Sequence, residues 1–129
     1  MHPILKGILA FIAGVVVGNI VNLSLIYLGM EVIPLPEGTS IIDLKSAIPL
    51  FETKHFISPF VAHAAGTFLG AFTTAKISKN FWLTMSMGAF FLVGGIVMVL
   101  DVGGPTWFIL LDLIGAYLPM AYLAFRITK

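Results

Sequence analysis

Asn22, His63 and Asp112 are polar side chains set into three separate apolar stretches of this sequence. His63 stands in Pro59-Phe-Val-Ala-His-Ala-Ala-Gly-Thr-Phe-Leu-Gly-Ala-Phe72, and Asp112 ends Pro105-Thr-Trp-Phe-Ile-Leu-Leu-Asp112. An imidazole beside a carboxylate has a fixed tautomer, and the anion favours the protonated ring. Such a pair could bind a polar ligand, carry a proton or act as an acid and base. Thr67, one turn beyond His63, and Asn19, one turn before Asn22, would add a hydroxyl and a second amide. The plainer reading is that these groups only hydrogen-bond neighbouring helices together. Contacts of that kind average about 0.6 kcal/mol where they have been measured.

Whether the five residues can meet depends on what surrounds them. The chain has 129 residues, 59% of them hydrophobic and 10% charged, with a mean hydropathy of +1.06. A soluble domain is about 45–50% apolar and about 25% charged. So few charges could not cover so much apolar surface in water, and the chain reads as an all-α integral membrane protein. A membrane-crossing helix needs about 20 mainly apolar residues. Four stretches qualify: 4–28, 57–75, 81–100 and 106–125. They imply one membrane domain over 1–129, an up-down-up-down bundle with an external loop at 29–56. In that loop Ser40-Ile-Ile-Asp43 reads as a capped helix start. The apolar residues Ile41, Ile42, Leu44, Ala47 and Ile48 would then lie on the membrane or over the bundle.

Counted from the loop side, Asn22, His63 and Asp112 each lie about six residues into their helices, or roughly 10 Å deep. Small residues place them near the helix contacts. Gly14, Gly18 and Asn22 recur every fourth residue, as do Ala62, Gly66 and Gly70. Small residues let helices approach closely in lipid. The expected result is a polar pocket among His63, Asp112, Asn22, Thr67 and Asn19, opening toward the loop side. Pro119 frees a carbonyl near Gly115 and should bend the fourth helix below Asp112.

Charge and motif content narrow the possibilities. Lys6, Lys76, Lys79, Arg126 and Lys129 fall at one end of the spans, with Lys45 and Lys54 at the other. This bias places both termini in the cytoplasm and argues against a dual-topology transporter. No basic patch suggests nucleic acid. The absence of cysteine excludes disulfides and thiolate sites. The N-terminal apolar run is too long for a cleavable signal, and no small-residue cleavage site follows it. Glu52-Thr-Lys-His55 has a metal-ligand spacing without the partner carboxylates that such sites require, so no metal is expected. Asp101 is expected to end the third helix at the surface.

The two runs quoted above, together with Leu118-Pro-Met-Ala121, resemble a group of small bacterial four-span membrane proteins. The resemblance implies this architecture and a bacterial inner-membrane location, but no mechanism. No P-loop, Rossmann fingerprint, nucleophile elbow, HExxH or other cofactor motif is present. The leading expectation is binding or transport of a small solute, ion or lipid, with proton linkage open to the His63–Asp112 pair. A chain this short would need a homo-oligomer for alternating access. The alternatives are a membrane-embedded enzyme with His63 as acid/base, and a scaffold or accessory subunit.

Overall fold

A computed structural model describes residues 1–129 and is helical almost throughout. Helix α1 (Pro3–Val32) starts where His2 accepts a hydrogen bond from the Ile4 amide and Pro3 enters without an N–H to satisfy. It runs past the expected end at Leu28 because nothing in Gly29-Met30-Glu31 stops it. Pro34 does so by disfavouring helical backbone at Ile33. Its 30 residues span roughly 45 Å, more than a hydrocarbon core, so α1 carries a turn or more beyond it.

The loop then forms the expected short helical segment, in three pieces. A 3-10 turn (Ile41–Asp43), helix α2 (Leu44–Ala47) and a second 3-10 turn (Ile48–Leu50) follow one another without a gap. Ser40 Oγ accepts from the Ile42 amide, and Asp43 Oδ1 accepts from Ser46, so both polar residues act as caps. Ala47 is fully buried. Ile42 points away from the bundle and is 95% exposed, so of the two expected covers only the membrane surface is open to it.

Helix α3 (Ile57–Ser78) descends through the centre of the bundle and packs on α1 along its length. The glycines make this possible. A Cβ added at Gly14 would stand 2.7 Å from the Gly70 carbonyl oxygen, and one at Gly66 would stand 2.8 Å from that of Gly18. The small-residue rows therefore join two helices of one chain. Thr74 Oγ1 crosses the same seam to the Ala10 carbonyl at 3.3 Å. Helix α4 (Phe81–Val102) starts at Asn80, which accepts from the Leu83 amide, and ends at Gly103, whose φ of 74° suits glycine. Asp101 lies exposed in its last turn.

The fourth crossing is not one helix but two, α5 (Thr106–Gly115) and α6 (Leu118–Thr128), broken at Ala116–Tyr117. Pro119 stands in the first turn of α6, so the expected bend is a full interruption. Large apolar side chains cover the outside of the four crossings, while the fully buried positions are mostly alanine, glycine and threonine. That distribution suits a bundle dissolved in lipid.

Candidate functional site

Where α3 meets α5, His63 Nδ1 lies 2.8 Å and 3.0 Å from the two carboxylate oxygens of Asp112. A carboxylate can only accept, so Nδ1 carries the hydrogen. Asp112 is 4% exposed, and a buried carboxylate in an apolar bundle needs donors. The second donor is Tyr117, whose hydroxyl donates to Asp112 Oδ2 at 3.1 Å. The phenol ring stacks on the imidazole, with ring centres 5.9 Å apart, and lies against Gly95 of α4.

Sequence reasoning missed Tyr117. In a continuous helix a residue five positions beyond Asp112 points about 140° away from it. The break after Gly115 turns the phenol back. Pro119 was the available signal, since a tyrosine next to a helix interruption in lipid must find a hydrogen-bond partner.

With Nδ1 committed, the other imidazole nitrogen, Nε2, makes no hydrogen bond within the protein. The half-buried ring borders two cavities that share His63, Gly95 and Met98 in their walls. One is polar, about 220 Å³, and is lined by Asn19, Asn22, His63, Thr67 and Tyr117 among others. The other is apolar, about 150 Å³, and lies beneath the loop, with Ile26, Met30, Leu44, Phe56 and Val99 in its walls.

The five expected site residues thus reach one region in different ways. His63 and Asp112 bond directly. Asn22 and Thr67 face the polar cavity without bonding to that pair. Asn22 Oδ1 and Thr67 Oγ1 are buried and have no hydrogen-bond partner at all. Gly66 holds Asn22 close, since a Cβ there would lie 3.0 Å from the Asn22 Cβ. Asn19 is exposed at the cavity's edge and donates back to the Val15 carbonyl of its own helix.

The sequence suggested an opening toward the loop side, and the cavity at that end is the apolar one. Ile41, Leu44, Ile48 and Phe51 of the loop roof that apolar cavity. The polar cavity reaches the flank of the bundle instead, where Asn19, Gly94 and Met98 are exposed.

Of Glu52 and His55, only His55 reaches this region, in the wall of the apolar cavity. His55 Nδ1 accepts from the Glu52 amide at 2.8 Å, and Glu52 returns a bond to the His55 backbone, closing a reciprocal cap. Nowhere do three or more histidine, aspartate or glutamate side chains gather as a metal site would require. Comparison with protein-family models, curated proteins and solved structures finds no match to this chain.

Proposed function

We propose that this chain is an integral protein of a bacterial inner membrane that binds a small ligand in a polar site inside its helical bundle. In this reading His63, Asn22 and Thr67 contact the ligand, and Asn19 borders its route. Asp112 and Tyr117 orient His63. One observation carries the reading: Asn22 and Thr67 line one polar cavity, and their buried Oδ1 and Oγ1 atoms bond to nothing in the protein. Leaving such a group unsatisfied costs about 1–3 kcal/mol. A scaffold has no reason to retain that cost, and polar residues acting as glue would be bonded across helices, as His63 and Asp112 are.

A ligand that requires Nε2 in one form, acceptor or donor, would make binding proton-linked. Passage across the membrane would call for a second copy of the chain, since 129 residues leave little room for alternating access. The bacterial location rests on the resemblance of the His63 and Asp112 segments.

The free Nε2 also favours a second reading. An imidazole anchored through Nδ1 with Nε2 facing a cavity is arranged as a general base, which makes a membrane-embedded enzyme the runner-up. Native mass spectrometry of protein released from its own membranes tests the first reading. The wild type should retain a bound small molecule that Asn22→Leu and Thr67→Val lose. Equal retention by all three, or none by the wild type, would contradict binding at this site. Conversion of the retained molecule on incubation, abolished by His63→Gln, would move the assignment to the enzyme.

A further inference from the structure

We propose that the ligand of this site is an uncharged amphiphile bearing a hydroxyl group, which reaches the polar cavity sideways from the bilayer between α1 and α4. Its apolar part occupies the cavity beneath the loop. This rests on the binding site proposed above and names its ligand class.

The route follows from where α1 and α4 touch. Near the termini they meet closely: Gly7 faces Leu83, Phe11 packs edge-on against Phe90 at 5.7 Å, and Phe91 lies on Gly18. Above Phe91 the contact gives way to the polar cavity, bordered by Asn19 and Asn22 on α1 and by Gly94 and Met98 on α4. An added Cβ at Gly94 would meet nothing within 4 Å. A solute arriving from water at the loop end meets the apolar roof instead. The flank lies at the depth of the hydrocarbon, so a molecule already dissolved in lipid has the shorter path.

The lining selects the head group. All seven Lys and Arg residues lie near helix ends or in the loop, and none borders either cavity. A phosphate or carboxylate would enter an apolar bundle with no Lys or Arg to meet it and with the Asp112 carboxylate nearby, which is costly. Asp112 already receives two hydrogen bonds and does not line the polar cavity, so it offers little to an ammonium group. An uncharged group remains. Asn22 Oδ1 is an acceptor whatever the state of His63, so the ligand must donate. An ester or ether oxygen cannot donate. A hydroxyl donates to that acceptor and can accept from Thr67. The shared wall at His63, Gly95 and Met98 lets an attached chain pass directly into the apolar cavity.

The test uses the full-length protein in phosphatidylcholine nanodiscs and a photoreactive monoacylglycerol. Probes of the same chain ending in a carboxylate or a phosphate provide the comparison, and free glycerol serves as competitor. The monoacylglycerol should label the α1 and α4 segments around Asn22 and Gly94 saturably. Asn22→Leu and Thr67→Val should each lower the yield at least ten-fold. Gly94→Phe, which fills the mouth, should lower it comparably while the protein still melts cooperatively.

Equal labelling by the charged probes would overturn the uncharged head group. Labelling unaffected by Gly94→Phe would overturn the lateral route. Binding of glycerol that depends on Asn22 and Thr67, without lipid labelling, would replace the amphiphile by a water-borne polyol and leave the binding site standing. If no probe responds to Asn22→Leu or Thr67→Val while the native protein still retains a molecule that both variants lose, this ligand class falls alone. If that retained molecule is missing too, the binding site falls with it.

Discussion

Asp112 shows how one carboxylate can organise a site at the scale of single residues. Its oxygens accept from His63 on α3 and from Tyr117 just beyond α5, which fixes the imidazole and leaves Nε2 free. Removing either member of the buried pair strands the other. Asp112→Asn and His63→Gln should therefore each lower stability by about 1–3 kcal/mol in detergent. The double variant should lose less than their sum, by on the order of 1 kcal/mol. Strictly additive losses in a thermal double-mutant cycle would mean that the two residues do not meet. This pairing was legible in the sequence, because ionisable groups in lipid are few and counting residues from the helix ends gives their depth. Tyr117 was not legible, since an unbroken helix would have turned it away. The unpartnered state of Asn22 and Thr67 was also hidden, because spacing tells which residues share a region but not which of them bond.

Among the elements, the glycine seam between α1 and α3 and the interruption between α5 and α6 decide where the site forms. The seam brings Asn22 beside Gly66, and the interruption brings Tyr117 beside Asp112. Gly70→Val should drive a side chain toward the Gly14 carbonyl, 2.7 Å from the position of its Cβ. Overpacking of this kind costs about 1–3 kcal/mol. Gly94→Ala provides the matched control, since its Cβ meets open space and alanine is the better helix former by up to about 1 kcal/mol. Thermal unfolding should separate the two clearly, and equal melting temperatures would remove the seam as the contact that positions Asn22. Four-residue spacing made the seam readable in advance. The end of α1 was less readable, because helix continues through Gly29 until Pro34 forbids it, and hydropathy alone marks no such limit.

For the whole molecule, four crossings enclose a small polar cluster within a tightly packed apolar bundle, and charge bears on its direction. Five Lys and Arg residues lie at the end with the termini, against two at the loop end, and on that bias we propose that the termini are cytoplasmic. The chain has no cysteine, so single introduced thiols report cleanly. In intact cells a membrane-impermeant maleimide should label Glu37→Cys in the loop and spare a cysteine appended after Lys129. Glu37 serves better than Gly38, whose φ of 81° disfavours a side chain. The reverse labelling would invert the orientation. The number of crossings and the capped loop segment were legible from hydropathy and Ser40. The roof was not, because sequence gave the loop a choice between membrane surface and bundle. In the proposed route the flank is the way to Asn22 and Thr67. Whether Thr67 serves the fold or a ligand is read most directly from the thermal unfolding of Thr67→Val, a change close to isosteric at a position 1% exposed. Its hydroxyl bonds to nothing in the protein, so the ligand-free variant should be as stable as the wild type or up to about 1–3 kcal/mol more stable. A loss of stability as large as that of Asp112→Asn would contradict this, and would return Thr67 to the ranks of residues that hold the helices together.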